Sequence, residues 1–380
     1  MIIEIRKVGF SNKGAELMLY AILQKLSKGF PDAQFVMAPT GPNGAAPFSK
    51  RAKLGLYQKA FLWRNGIQFG KLFSLMPKKV REMYGIFTEK EIDVVIDSAG
   101  FEYSDQWGQQ RCLELAASSR VWKKNGTKLI MLPQAFGPFT SPKIKSAIKE
   151  AVNNSLLVFP RDKISYDNIT GIVGGDPKIK IAPDFTNIIE GIKPEGFDSE
   201  NCKVAIIPNY RMVDKSDAEG GYLPFMVKSA KYLLSKNARP FILIHESKSD
   251  LHIAEKINTE VGNKLPVIEE SNPLVLKGIL GMCDATLGSR FHGLVSALSQ
   301  GVPSLATGWS HKYQMLFEDY DFSDGVIDIQ TEDEVLYKKM DLILNEDSKT
   351  RIKDRLIQRA KILKHGTETM WSEVIAIINS

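Results

Sequence analysis

The sequence is poor in the side chains that build metal sites and disulfide frameworks. Its three cysteines, Cys112, Cys202 and Cys283, are widely spaced and form no CxxC pair. Structural thiols in a reducing compartment are therefore expected, rather than disulfides or a zinc site. The five histidines include no two at metal-ligand spacing, so the sequence predicts no dedicated metal centre.

Long apolar runs and several common active-site motifs are also missing. No stretch approaches the ~20 uncharged apolar residues of a membrane span, and the first residues, MIIEIRKVGFSNKG, lack the apolar core of a signal peptide. We therefore expect a cytoplasmic protein, with the inner face of the membrane as an alternative location. The absence of a Walker loop, a GxGxxG fingerprint and a GxSxG elbow argues against P-loop, dinucleotide-binding and serine-hydrolase sites.

Positive charges exceed negative charges by six, and much of the excess lies in one basic cluster. We favour a solvated basic face; contact with an anionic lipid surface or a phosphorylated acceptor is the alternative. No nucleic-acid-binding module or aromatic–basic motif is present, so nucleic acid is not an expected partner. The cluster consists of Lys50, Arg51, Lys53, Lys71, Lys78, Lys79 and Arg81.

Short apolar runs alternate with amphipathic runs along the chain, which at 380 residues is too long for one ordinary core. Segment 190–201 is aperiodic and rich in Gly, Pro and charge, as interdomain linkers are. Strands that alternate with helices predict mostly parallel, doubly wound sheets. We therefore expect an α/β fold of two Rossmann-like domains, residues 1–189 and 202–380, facing a central cleft. The last helices are candidates to pack back on the N-terminal domain.

Three local patterns are less regular. Residues 41–56 are rich in Gly and Pro and predict a loop, whereas residues 57–90 predict helix in pieces, broken at Pro77. The run GVID at residues 325–328 predicts a short strand.

One strand-to-helix junction carries the clearest functional signal. The run DATLGS ends a strand and FHGLVSALSQG begins a helix, so Arg290 and His292 stand where free N–H groups and the helix dipole favour an anion. Arginine offers a planar fork to carboxylate or phosphate, and histidine, with an ordinary pKa of about 6.5, can transfer a proton. The alternative is structural: Arg290 pairs with an acidic residue and His292 caps the helix.

Further cations follow neighbouring strands of the second domain. Lys312 opens the helix after PSLAT, and Arg211 follows the strand VAIIP. Either side chain is a candidate to complete a cationic anion site. The alternatives are an ordinary surface lysine and a loop arginine exposed to water.

Polar loops also follow the predicted strands of the first domain. The turn GFSNKGAE carries Asn12 and Glu16, which are candidates for acceptor contact, with a plain tight turn as the alternative. The segment DSAGFEYSD carries Asp97 and Glu102, candidates for sugar binding or for a general base. Gln134, in PQAFGP, is a candidate ligand of a sugar hydroxyl.

In this order, the segments resemble those of the polysaccharide pyruvyl transferases, over roughly residues 5–320. The most specific part is the Arg-x-His helix start, followed by small residues and Gly-Val-Pro. The chain departs from the commoner pattern where it has Asn-Lys-Gly-Ala-Glu for Asn-x-Gly-Asp-Glu and Ser98-Ala99-Gly100 for a glycine run, both on the presumed acceptor side. The matching segments are NKGAE, DSAGFEYSD, PQAFGP, PRDKIS, APDF, IPNYR and LGSRFHGLVSALSQGVPSLA.

The resemblance implies a GT-B-like fold and transfer of the enolpyruvyl group of phosphoenolpyruvate to two sugar hydroxyls, which gives a cyclic pyruvate ketal and phosphate. It implies that His292 and Arg290 are catalytic, and that the residues named in the first-domain loops contact the acceptor. The acceptor is then a free, nucleotide-linked or lipid-linked sugar, no cofactor or metal is needed, and a homo-oligomer is left open. The residues implied to bind phosphoenolpyruvate are Arg211, Arg290, Phe291, His292 and Lys312.

Two other functions fit the same residues. A GT-B glycosyltransferase with a nucleotide-sugar donor would use the helix-end arginine to bind a diphosphate. A non-catalytic sugar- or anion-binding protein on the same scaffold would bind its ligand without turnover.

Overall fold

The computed structural model describes residues 1–39, 48–61, 63–64, 67–214, 220–246, 248–308 and 310–380. These residues form two compact units, each built from separate stretches of the chain. The first unit comprises Met1–Ser11, Met18–Phe185 and Glu368–Ser380, and the second comprises Asn12–Leu17 and Thr186–Thr367.

The described strands of the first unit form a seven-stranded parallel sheet with the order β6-β3-β2-β1-β7-β8-β9. Its strands β7 and β8 contain continuous apolar runs, as expected when helices cover both faces of a parallel sheet. A separate antiparallel ribbon pairs β4 with β5. The strands are β1 (Ile2–Arg6), β2 (Gln34–Met37), β3 (Tyr57–Lys59), β4 (Trp63–Arg64), β5 (Ile67–Gln68), β6 (Ile86–Phe87), β7 (Val94–Asp97), β8 (Lys128–Gln134) and β9 (Leu157–Pro160).

Helices connect these strands, and the longer ones bury an apolar face. In α5, for example, Ile144, Ala147, Ile148 and Ala151 are buried at helical spacing. Asp162 caps α6, because its Oδ1 accepts a hydrogen bond of 2.7 Å from the N–H of Ser165. The helices are α1 (Lys13–Gly29), α2 (Phe48–Lys53), α3 (Lys78–Met83), α4 (Gln109–Asn125), α5 (Pro142–Asn154) and α6 (Lys163–Val173).

The irregular patterns were predicted less well. Residues 41–47 of the predicted loop lie outside the described residues, and α2 occupies the part that follows, so that part of the prediction is wrong. Among the described residues of 57–90, α3 and two 3-10 helices match the predicted helix, whereas β3, β4, β5 and β6 are strands. Strands of two or three residues are too short to show a period of two. The run GVID is not a strand: it makes one bridge, between Val326 and Ala306.

The described strands of the second unit form a five-stranded parallel sheet with the order β12-β11-β10-β13-β14. The strands are β10 (Val204–Ile207), β11 (Pro240–Ile244), β12 (Val267–Glu269), β13 (Ala285–Gly288) and β14 (Ser304–Ala306). The helices are α7 (Arg211–Asp214), α8 (Tyr222–Ser235), α9 (Lys248–Glu260), α10 (Pro273–Gly281), α11 (Phe291–Leu298), α12 (Lys312–Asp319), α13 (Asp333–Leu344) and α14 (Glu346–Asn379). No described helix is both long enough and apolar enough to cross a membrane.

The segment predicted as a linker packs closely against α10 in the second unit. The N–H of Ile192 donates a hydrogen bond of 2.9 Å to the carbonyl oxygen of Leu274. A Cβ added at Gly278 would lie 1.9 Å from the carbonyl oxygen of Ile192. Only glycine therefore allows the segment to approach the helix this closely.

Candidate functional site

The candidate site lies at the switch point of the second sheet. From β10 the chain runs outward through β11 and β12, then returns to β13 on the other side of β10. Ile207 at the end of β10 is in register with Gly288 at the end of β13. Ligands of open α/β sheets bind beyond the carboxyl ends of the strands at such a point.

A buried hydrogen-bond network fixes the turn between β13 and α11. The carbonyl oxygen of Ser289 accepts hydrogen bonds from the Asn209 amide, at 2.6 Å, and from the Tyr313 hydroxyl, at 2.8 Å. The hydroxyls of Ser289 and Tyr222 lie 3.0 Å apart. Burial raises the pKa of Tyr222 to about 12, so this hydroxyl stays protonated. The network holds the start of α11 in one conformation.

Arg290 is the N-cap residue of α11, and two carboxylates bind its guanidinium group. Its Nε and Nη2 donate to Asp250 Oδ2 and Oδ1, at 2.9 and 2.5 Å, while Nη1 pairs with Glu246. Asp250 is fully buried and also accepts the N–H of Tyr210 at 2.9 Å. This bidentate pair fixes the plane of the arginine fork.

The first turn of α1 belongs to the second unit and lies against this arginine. Asn12 donates a hydrogen bond of 2.9 Å to Glu246, and its Oδ1 accepts the N–H of Ala15 at 3.0 Å. Lys13 and Glu16 form a buried ion pair of 2.8 Å. Asn12 and Glu16, predicted as acceptor residues of the first domain, are thus placed beside the arginine of the second unit.

His292 lies in the first turn of α11, and its ring packs on Gly14. A Cβ added at Gly14 would lie 2.1 Å from Nδ1 of His292, closer than any real contact allows. A glycine in α1 is therefore required to accommodate the imidazole. Gly14 stands within the motif NKGAE, but the sequence does not reveal that its neighbour is His292.

A second histidine, His245, follows β11 and was not predicted as a site residue. It is buried, and a Cβ added at Gly293 in α11 would lie 3.3 Å from its Cδ2. Burial, together with the electrostatic effect of the neighbouring Arg290, His292 and Lys13, lowers its pKa from 6.5 to about 3. His245 is therefore a neutral imidazole at physiological pH.

The other predicted donor residues lie around the same helix start. Phe291 is buried and makes edge contacts with the rings of His292 and Tyr313, at centroid distances of 5.4 and 6.0 Å. The Lys312 ammonium lies 5.3 Å from the centre of the Phe291 ring, a cation–π geometry. Arg211 is exposed at the start of α7, and its N–H donates to Asn209 at 2.9 Å.

The remaining predicted acceptor residues belong to the first unit. Asp97 and Gln134 are fully buried, and Gln134 donates to Asp97 at 3.3 Å. Asp97 also binds Arg6 at 2.9 Å and the Tyr103 hydroxyl at 2.9 Å; burial raises its pKa, although Arg6 opposes this. In this structure both side chains bind other buried polar groups of the first unit. Each side chain would have to become exposed to contact an acceptor, so that role stays a prediction. Glu102 is partly exposed and pairs with Lys7 and Arg111.

Within the described residues, no group of three His, Cys, Asp or Glu side chains is arranged to hold a metal ion. The charges at the site are instead those of arginine, lysine and carboxylate side chains.

A sequence profile described as Polysaccharide pyruvyl transferase matches residues 12–311. The chain belongs to the polysaccharide pyruvyl transferase family. The matched region begins at Asn12, includes Arg211, Arg290 and His292, and ends one residue before Lys312. The family resemblance predicted from the sequence is confirmed. A search of curated proteins gave no match.

Several solved structures share the fold of this family member. The MnaA–UDP co-structure from S. aureus is 11% identical, with a TM-score of 0.62 over 100% of this chain and 96% of that one. The UDP-GlcNAc 2-epimerase from Neisseria meningitidis bound to UDP-GlcNAc is 11% identical (TM-score 0.59; coverage 96% and 99%). HepE from Anabaena in complex with UDP and glucose is 12% identical (TM-score 0.56; coverage 99% of both). These similarities confirm the predicted α/β, GT-B-like fold.

Proposed function

We propose that this pyruvyl transferase moves the enolpyruvyl group of phosphoenolpyruvate onto a sugar of a polysaccharide or of its precursor, closing a pyruvate ketal and releasing phosphate. The observation that supports this most is Arg290, whose fork is fixed at the N-terminus of α11 with His292 in the first turn of that helix. Phosphoenolpyruvate carries a carboxylate and a phosphate close together, and an arginine at a helix N-terminus suits such an anion.

The reaction balances with groups that the site contains. A proton adds to the methylene carbon, and the adjacent carbon becomes oxocarbenium-like. One sugar hydroxyl oxygen bonds to that carbon, the carbon–oxygen bond to phosphate breaks, and a second hydroxyl closes the ketal. One hydroxyl proton replaces the proton placed on the new methyl group, and the other leaves with phosphate. His292 is the proposed general acid, and Arg290 stabilises the anionic groups.

The two carboxylates on Arg290 have different proposed roles. Asp250 is buried and binds the Nε–Nη2 edge, so it positions the fork. Glu246 is partly exposed and binds Nη1. A donor anion that reaches Arg290 would therefore replace Glu246 and leave the Asp250 pair intact.

The acceptor is proposed to be a nucleotide-linked or lipid-linked sugar. Asn12 is exposed, belongs to the second unit and donates a hydrogen bond to Glu246 beside the proposed donor site. Glu102, in the first unit, carries a partly exposed carboxylate that could serve as a base only if it is released from Lys7 and Arg111.

Turnover tests this proposal directly. The protein is incubated with phosphoenolpyruvate and a panel of nucleotide-linked and lipid-linked sugars, and phosphate release and product mass are measured. Arg290→Lys keeps the charge but loses the fork, so kcat/KM should fall more than about tenfold. Arg120→Lys, which alters an exposed ion-paired arginine, is the matched control. Absence of a pyruvyl adduct with every acceptor, or unchanged turnover in Arg290→Lys, would contradict the proposal.

Ligand-induced stabilisation separates the proposal from the glycosyltransferase alternative. A ligand that binds only the folded state raises the melting temperature. Phosphoenolpyruvate should stabilise the wild type and not Arg290→Lys. Stabilisation by a nucleoside-diphosphate sugar, with no effect of phosphoenolpyruvate, would favour a nucleotide-sugar donor instead.

A further inference from the structure

We infer that a surface of the first unit formed by residues 72–84 docks on an anionic lipid bilayer. This docking surface presents four large apolar side chains to solvent: Leu72, Leu75, Met83 and Tyr84. Leu75 is 81% exposed and Met83 is 80% exposed. Groups of exposed large apolar side chains mark interaction sites, whereas single ones need no explanation.

Strong exposure of apolar side chains is concentrated in this part of the molecule. Among the described residues, six large hydrophobic side chains are more than half exposed, and five of them lie between residues 48 and 84. The sixth, Ile362, lies alone on α14. The most strongly exposed apolar side chains therefore lie mainly in one stretch of sequence.

The docking surface is anchored to the fold and is not a loose end. Arg81 is buried beneath α3, where it donates to the carbonyl oxygen of Met76 at 3.3 Å and pairs with Glu91 at 2.5 Å. Glu91 in turn accepts the N–H of Thr88 at 2.8 Å. Since Arg81 holds the inner side of this short helix, Lys79 and Met83 project from the outer side. Leu72 and Leu75 are three apart in a 3-10 helix (Phe69–Leu75), so they share a face.

Charge identifies a bilayer as the occupant. Residues 48–84 contain nine Lys or Arg and one acidic residue, Glu82, so their net charge is +8, whereas the whole chain carries +6. The remainder therefore carries −2. Lys78 and Lys79 are exposed beside the apolar side chains, and Lys78 makes only a solvent-exposed pair of 3.7 Å with Glu82.

Lysines next to insertable apolar side chains match the boundary between anionic headgroups and acyl chains. A soluble polyanion would use the lysines but leave Leu75 and Met83 in water. The bilayer therefore accounts for both features of the surface, and nucleic acid accounts for one.

Vesicle sedimentation with the full chain tests the inference without reference to turnover. Vesicles of phosphatidylcholine alone are compared with vesicles that also contain phosphatidylglycerol. We expect binding only to the anionic vesicles, and weaker binding at high salt because salt screens exposed charges. The double variants Lys78→Gln/Lys79→Gln and Leu75→Gln/Met83→Gln should each weaken binding by roughly tenfold or more.

Matched controls make the same kinds of substitution at exposed positions outside the docking surface. Lys123→Gln/Lys124→Gln removes two exposed adjacent lysines at the end of α4, and Ile362→Gln removes the exposed side chain of α14. Both should bind as the wild type does, and circular dichroism should show every variant folded. Three results would overturn the inference: no binding to anionic vesicles, equal weakening by the controls, or full binding by Leu75→Gln/Met83→Gln. Full binding by Leu75→Gln/Met83→Gln would show that the protein binds any polyanion through its charges alone. None of these outcomes bears on phosphoenolpyruvate.

Discussion

Arg290 and the groups around it show how single residues determine the chemistry of the site. Its guanidinium carries one positive charge and contacts two carboxylates, one fully buried and one partly exposed. A buried bidentate pair is costly to break, because the remaining charge loses its partner in a low dielectric. The Asp250 pair is therefore a fixed part of the fold, and Glu246 is the partner that we propose exchanges for the donor anion.

Glu246→Gln should increase the affinity for phosphoenolpyruvate. The amide keeps the size of the side chain but removes the negative charge that competes for Nη1 of Arg290, so KM should fall by roughly fivefold, or about 1 kcal/mol. Steady-state kinetics with phosphoenolpyruvate measure this. Glu255→Gln, on the exposed side of α9, is the control. A rise in KM, or a collapse of kcat at unchanged KM, would show that Glu246 assists the reaction instead of competing with the donor.

His245 should make the stability of the second unit depend on pH. Above pH 6.5 its imidazole is neutral in both the folded and the unfolded chain. Below pH 6.5 the unfolded chain binds a proton at His245, whereas the folded chain does not bind this proton until the pH falls to about 3. The free energy of unfolding therefore falls as pH decreases through this window, with a slope of up to about 1.4 kcal/mol per pH unit.

Urea unfolding between pH 4 and pH 8 measures the effect. The variant His245→Gln should have a shallower slope than the wild type, whereas His252→Gln, which changes an exposed histidine of α9, should keep the wild-type slope. Equal slopes in all three proteins would be inconsistent with a neutral, buried His245.

The residue types at strand ends predicted part of the site. Arg290 and His292 could be found because a polar pair follows an apolar strand and begins a helix. His245, Glu246 and Asp250 follow β11 in the same manner, in HESKSD, but no local pattern shows that α9 brings Asp250 to Arg290. Asp97 and Gln134 show the converse, because polar groups at strand ends also bind one another inside the fold.

At the level of elements, the long helices were predictable, whereas the short strands β3 and β6 were not. A helix such as α4 or α5 spans several turns, so its buried face recurs often enough to be read. Strands β3 and β6 form because they pair with neighbouring strands of the sheet. A sequence pattern of two or three residues does not reveal this pairing.

The starts of α1 and α11 form a contact that a single methyl group should disrupt. Gly14→Ala places a Cβ on the ring of His292, so the ring or the helix must shift, at a cost of about 1–3 kcal/mol. We expect a lower melting temperature and a greater than tenfold loss of kcat, since general-acid catalysis depends on position. Gly171→Ala, in α6, meets nothing within 4 Å and should be neutral or stabilising. Equal behaviour of the two variants would argue against this contact.

At the level of the whole molecule, the end of α14 completes the first unit. Residues Glu368–Ser380 belong to that unit, and Trp371 is buried there with its ring 5.9 Å from that of Phe185. Lys25 and Lys180 pair with Glu368 and Glu373, at 2.6 and 2.8 Å.

Trp371→Ala should destabilise the first unit by about 3–5 kcal/mol, because it leaves a cavity in a packed core. Hydrogen exchange of the amides in the first sheet, together with urea unfolding, would show the loss. Ile362→Ala, on the exposed side of the same helix, should change stability by less than about 0.5 kcal/mol. Similar losses in both variants would show that the helix contributes by its length and not by its buried side chains.

The same arrangement constrains the order in which the chain can fold during synthesis. Between Phe185 and Glu368 lie 182 residues, nearly all of the second unit. A ribosome that adds about 5–20 residues per second needs roughly ten to forty seconds to cross that stretch. Throughout this interval the Trp371 side chain that packs on Phe185 has not been made, so a nascent first unit exposes apolar surface until residues 368–380 have been synthesised.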